Sequence, residues 1–163
     1  MRNLVYIFAF ALVIASCGNR NDTLKGKDND FKLKDTASID KIFLANKGNQ
    51  SVTLTKDGNK WLVNNEFEAR GDMMANILHC IRNVEVKQFV PKNSSDNTMK
   101  LLSVSATKVE IYQKGKLSKT YYVGGPTQDH FGTYMVMQDS ETPYICYLPG
   151  HRGYISPFFT PMV

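Results

Sequence analysis

The stretch 107-TKVEIYQKGKLSKTYYVGGPTQDHFGTYMVM-137 decides the fold. Val109 and Ile111 alternate with Lys108 and Glu110, the period of a strand with one buried face. Lys114-Gly115-Lys116 supplies a turn, and Leu117 and Tyr121 to Val123 run back. A further hairpin follows. Its strands are 131-FGTYMVMQD-139 and 143-PYICYL-148, turned at Ser140-Glu141-Thr142. Both faces of these last strands are apolar or aromatic, as for strands flanked by neighbours.

The centre of that stretch, 123-VGGPTQDHFGTYMVM-137, invites a phosphate-loop reading. Such a loop needs a glycine-rich turn followed by Lys and Ser or Thr at a helix N-terminus. After Gly124-Gly125 come Pro126, Thr127, Gln128, Asp129 and His130, and the next segment reads as a strand. The dinucleotide fingerprint fails too, because only adjacent glycines are present. The stretch is therefore expected to be a strand-to-strand connection, with the glycines and Pro126 supplying unusual backbone angles.

Upstream, 39-IDKIFLAN-46 reads as a short strand and 51-SVTLTKDGNKWLVN-64 as a hairpin turned at Asp57-Gly58. Met74, Ile77, Leu78 and Ile81 fall at i, i+3, i+4 and i+7, which predicts a helix with Asp72 as its cap and Cys80 flanking its apolar face. Val84 to Val90 alternates as a strand. Ser94 to about Val104 reads as a second short helix. The sum is an α+β domain: an antiparallel, hairpin-rich sheet with two short helices packed on one face. One domain is expected over residues 39–163.

The N-terminus has a different character. Arg2 precedes an unbroken apolar run from Leu4 to Ala15. That run matches a signal-peptide core and is too short for a membrane span, which takes about 20 residues. Ile14-Ala15-Ser16-Cys17 resembles the lipobox of bacterial lipoproteins. The resemblance implies cleavage after residue 16, with diacylglycerol and fatty acid carried on Cys17. Several acyl chains give stable anchoring, since each buried CH2 contributes about 0.8 kcal/mol. Residues 1–16 are then a signal peptide, and residues 17–38 a lipidated N-terminus and polar, flexible tether. The formal charge of +5 is modest, and export removes the chain from most nucleic acid.

Cys80 and Cys146 either pair as a disulfide, which an oxidising compartment permits, or stand as two small buried thiols. His79, His130 and His151 show no metal-site spacing, and no G-x-S-x-G elbow is present. No catalytic group and no cofactor beyond the lipid is expected. The aromatic side chains Tyr121, Tyr122, Tyr134, Tyr154, Phe158 and Phe159, with His130, form a candidate recognition surface for a partner or a glycan.

The stretches 39-IDKIFL-44, 61-WLVN-64, 72-DMMANILHCI-81, 121-YYVGGPTQDHFGTYM-135 and 143-PYICYLPGHRGYISPFF-159 resemble the envelope lipoproteins of domain of unknown function 4340, common in Bacteroidetes-type bacteria. The resemblance names no catalytic group. It implies a lipid-anchored, non-enzymatic accessory module for envelope assembly or transport, with an envelope protein as partner. Surface-exported lipoproteins of such bacteria tend to carry acidic residues after the lipidated Cys; with Gly18, Asn19, Arg20 and Asn21 there instead, the resemblance implies a periplasm-facing position on the outer or another envelope membrane. The alternative is a hydrolase or metal-dependent enzyme built on His130 and His151. No small-molecule ligand is indicated by these residues.

Overall fold

The computed structural model describes residues 27–161. The expected signal peptide, the lipidated Cys17 and the tether before residue 27 lie outside the described residues. Within them the elements run β1 (Ile39–Ala45), β2 (Ser51–Asp57), β3 (Lys60–Val63), β4 (Phe67–Glu68), α1 (Gly71–Asn83), β5 (Glu85–Phe89), α2 (Lys92–Ser105), β6 (Thr107–Gln113), β7 (Lys116–Pro126), β8 (Thr133–Met137) and β9 (Tyr144–Tyr147). Short 3-10 turns occupy Lys27–Asn29 and Ser156–Phe159. No helix among them is long and apolar enough to cross a membrane.

All nine strands join one antiparallel sheet in the order β4-β3-β2-β1-β6-β7-β8-β9-β5. It is two four-stranded meanders laid side by side, with β5 added at the β9 edge. Their seam is β1 against β6, where Ile42 stands opposite Ile111 and Leu44 opposite Val109. Cross-strand apolar pairs of this kind fix the register, because a one-residue slip would turn them all to the other face. α1 carries the chain from the β4 edge to the β5 edge, and α2 brings it back to the centre at β6.

The α+β class and the hairpin-rich antiparallel sheet are as the alternation predicts. The placement of the helices differs. Met74, Ile77, Cys80 and Ile81 of α1 join Ile42, Leu54, Val109, Ile111, Tyr121 and Met135 in the main core. Leu102 and Ala106 form a separate cluster with Val136, against Tyr122 and Tyr134. Tyr121 and Tyr122 are adjacent on one strand and point to opposite faces, as do Met135 and Val136. The two helices therefore cover opposite faces of the sheet. The main face has no room for both, because residues 31–33 and the C-terminal segment 155–159 already pack there with α1.

Three further expectations move. Asp72 does not cap α1: the N-cap position is Arg70, and Asp72 sits in the first turn, paired to Arg70 at 2.7 Å. The boundary expected at residue 39 falls earlier. Phe31 is 1% exposed and stacks edge-on against Tyr121 and Tyr144. Leu33 N–H donates to the Ile81 carbonyl of α1. Residues 31–33 belong to the domain core and not to a tether. The third is Phe159, expected on the recognition surface: it is buried with Ile155, its ring 6.1 Å from Tyr121.

Both sheet edges are blunted against open-ended pairing. β4 is two residues long. β5 carries a bulge between Val86 and Gln88, with Lys87 exposed. Short, bulged and lysine-bearing edges are how sheets avoid edge-to-edge association.

Candidate functional site

Residues 127–132 connect β7 to β8, and the chain there is tied to itself. The Thr127 and Gly132 backbones bond at 2.9 Å, N–H of the first to carbonyl of the second. His130 N–H donates to the Thr127 carbonyl at 2.9 Å. The Asp129 carboxylate accepts the Thr127 hydroxyl and the Phe131 N–H, the latter at 3.0 Å. The Thr127 hydroxyl oxygen in turn accepts Gly132 N–H at 3.0 Å. These bonds hold the Asp129 carboxyl below its ordinary pKa, the Thr127 hydroxyl first and the Phe131 amide second. A side chain that closes its own loop in this way is the chemistry that makes Asp a turn residue.

Gly124 and Gly132 act by close approach and not by unusual backbone angles, while a Cβ on Gly125 would meet open space. Gly124, Gly125 and Gly132 all lie outside the left-handed region. A Cβ on Gly124 would collide with Leu102 Cδ2 of α2 and sit 3.1 Å from the Tyr134 carbonyl. A Cβ on Gly132 would collide with Ile145 Cγ2 of β9 and sit 3.1 Å from Thr127 Cγ2. The residue that does take a left-handed angle is His130, with φ 59°. Non-glycine residues adopt this conformation rarely, and they persist there only where their surroundings hold them.

That geometry presents two rings. His130 lies against Tyr154, centroids 5.9 Å apart. Phe131 projects into solvent with 59% of its surface exposed. Beside the loop is a hollow of about 460 Å3, lined by Lys87, Gln88, Gln128, Asp129, Tyr134 and Ile145. It combines an aromatic ring, two amides, an ammonium and a carboxylate.

The expected recognition residues are thus dispersed. His130, Tyr154 and Tyr134 meet around the loop. Tyr121 and Phe159 are buried and offer no surface. Tyr122 is half-buried beneath α2, and its hydroxyl donates to Gln138 at 2.8 Å. Phe158 packs on His151 with centroids 5.3 Å apart, around a different hollow of about 380 Å3 that His79 also lines. Asn83 holds His79 by donating to its carbonyl at 2.9 Å and facing Nδ1 at 3.2 Å. Phe131, Lys87, Gln88 and Gln128 are the residues that sequence reasoning missed. The sequence pattern places Phe131 inside a strand, whereas β8 begins at Thr133. The available signal was the Asp129 to Phe131 spacing, which suits an Asx turn.

Chemistry at the sulfurs is poor. Cys80 on α1 and Cys146 on β9 are free and fully buried. Burial pushes the Cys80 thiol up to about 12 and raises Cys146 as well, with Cys80 adding to the latter. A thiol so shifted holds almost no thiolate at neutral pH and is a weak nucleophile. Among the described residues no group of three or more His, Cys, Asp or Glu side chains gathers as a metal site.

Compared with protein-family models, curated proteins and solved structures, the chain matches none.

Proposed function

We propose that this chain is a non-enzymatic binding module, lipid-anchored through Cys17 in the cell envelope and facing the periplasm. In this reading it serves an envelope assembly or transport system by holding a protein partner at the 127–132 loop. The observation that carries the reading is Phe131. A large apolar side chain stands in solvent on a loop whose conformation is over-determined by its own hydrogen bonds. Interface hot spots are enriched in aromatic anchors, and a pre-ordered loop loses little entropy on binding. The likeness of the apolar and turn segments to envelope lipoproteins of domain of unknown function 4340 supports the same class, by analogy alone.

The enzyme alternative on His130 and His151 has less behind it. Each ring stacks on a different aromatic residue, Tyr154 and Phe158, beside a different hollow.

Two measurements on the native, C-terminally tagged protein test the proposal. Palmitate labelling and membrane retention are expected in the natural chain and lost in Cys17→Ser. Persistence of both in the variant would contradict the anchor. Gentle detergent extraction should then bring down one protein in fixed stoichiometry. A partner-free protein carrying stoichiometric zinc would reverse the ranking in favour of the histidines.

A further inference from the structure

Residues 27–34 lie over the main face and belong to no strand. The Lys119 ammonium of β7 clasps them from below. It donates to the Asp30 and Lys32 carbonyls and pairs with the Asp30 carboxylate at 3.1 Å. Lys32 pairs with Glu85 of β5 at 2.6 Å, and Leu33 N–H donates to the Ile81 carbonyl of α1 at 3.0 Å. Into the core the segment sends the Phe31 ring, with Leu33 half-buried. It ends where Asp35 closes a turn with Ser38, and there Gln113 holds the Asp35 carbonyl at 2.9 Å. The other covers of this face are held more deeply. α1 buries Met74, Ile77, Cys80 and Ile81. The C-terminal segment buries Ile155 and Phe159, and Ile155 N–H donates to the Thr133 hydroxyl at 2.9 Å. The segment with the fewest buried apolar side chains is the first to open.

Two thiols share the core with Phe31. Tyr144 and Cys146 are i and i+2 on β9, so Phe31 rests on the same-face neighbour of Cys146. Ile81, whose carbonyl takes the Leu33 amide, follows Cys80 on α1. Tyr121 is the other ring against Phe31, at 5.8 Å. Burial first, and then the nearness of both sulfurs, raises its hydroxyl well above the ordinary value. We propose that residues 27–34 are a strap that lifts as a unit from the otherwise folded domain, and that Cys80 and Cys146 react with thiol-directed electrophiles only while it is lifted. The pair is a gated modification site. Lifting takes Phe31 off Tyr121 and Tyr144 and frees Leu33 from α1, while the turn at Asp35 leaves β1 in the sheet. With a maleimide, the thiolate sulfur bonds to one alkene carbon and the other carbon takes a proton, so nothing is released.

The experiment treats the full folded chain, in detergent, with N-ethylmaleimide. Peptide mass spectrometry follows Cys80 and Cys146 separately from Cys17. In the natural chain labelling should be slow and nearly independent of low urea, yet at least about tenfold faster than global unfolding permits. Lys119→Gln removes the clasp and should speed both cysteines about tenfold. Phe31→Ala should speed them roughly a hundredfold. Lys119→Gln carries the test alone should Phe31→Ala fail to fold. Ser156→Ala removes a tie between the C-terminal segment and the Gly124 carbonyl, and should leave the rate unchanged. Labelling that climbs with the full urea slope of unfolding, or that runs at the rate of an exposed thiol, overturns the proposal. So does a Lys119→Gln chain that labels no faster than the natural one. Equal acceleration by Ser156→Ala moves the gate to the C-terminal segment and overturns it as well.

Discussion

Tyr121 and Tyr122 are neighbours on one strand and meet opposite fates. Tyr121 is fully buried, edge-on between Phe31 and Phe159 at 5.8 and 6.1 Å. Tyr122 is half-buried on the other face, with its hydroxyl bonded to Gln138. The difference holds across the two faces. The main face is closed by α1, residues 31–33 and the C-terminal segment. The other face has α2 over β7 and β8, and elsewhere polar pairs such as Lys41 over the Tyr112 ring at 3.6 Å and Lys108 with Glu110 at 2.6 Å. The main face holds the larger part of the core, and α2 with Val136 a smaller part on the other. The proposed recognition element, the 127–132 loop, belongs to neither cluster. Parity along the strand, and not residue type, decides which tyrosine joins which.

The largest expected effect is on the closed face. Phe31→Ala removes a buried ring touching two others and should cost about 3–5 kcal/mol, read as a drop in denaturant midpoint. A loss below about 1 kcal/mol would place residues 31–33 back in a tether. Gly124→Ala should cost about 1–3 kcal/mol by forcing α2 away from β7. The same substitution made in a Leu102→Ala background should cost clearly less, because the colliding methyl is gone. Independent, additive losses would break the assignment of α2 to this face.

A smaller effect has the opposite sign. The Tyr121 hydroxyl is buried with no hydrogen-bond partner among the described residues. Tyr121→Phe removes that unpaired group and should stabilise the domain by about 1 kcal/mol. A loss of stability would reveal a partner for the hydroxyl. Smaller again is the pH response of the loop. The folded Asp129 carboxyl titrates below its ordinary value, so its contribution is complete above about pH 4. It fades only as pH falls through the lowered value. Hydrogen exchange at the Phe131 and Gly132 amides should therefore stay slow through mild acid and quicken below it. Fast exchange at neutral pH would mean that the loop is not held.

Much of the fold was legible because alternation is a local signal. Val109 and Ile111, Val52 and Leu54, and the Met74 to Ile81 face each announced an element, and turn residues separated them. What was not legible depended on three dimensions. Phe31 sits in a polar stretch, so nothing nearby in sequence marked it as core. The face taken by α2 follows from what already fills the other face. The recognition surface was half readable: His130, Tyr134 and Tyr154 were named, but seven aromatic and His positions without parity mixed buried rings with exposed ones. Phe131 was hidden because its glycine neighbour and apolar followers look like a strand. Only the bonds around Asp129 show that the strand starts two residues later, at Thr133.

The central claim is that stability and recognition are separated, with Phe131 serving only recognition. Melting temperature and partner recovery measured side by side on Phe131→Ala and the natural chain test it most directly. An exposed ring contributes little to folding, so the variant should melt within about 0.5 kcal/mol of the natural protein. It should also lose the stoichiometric partner on gentle extraction. Full recovery of the partner by the stable variant would contradict the account.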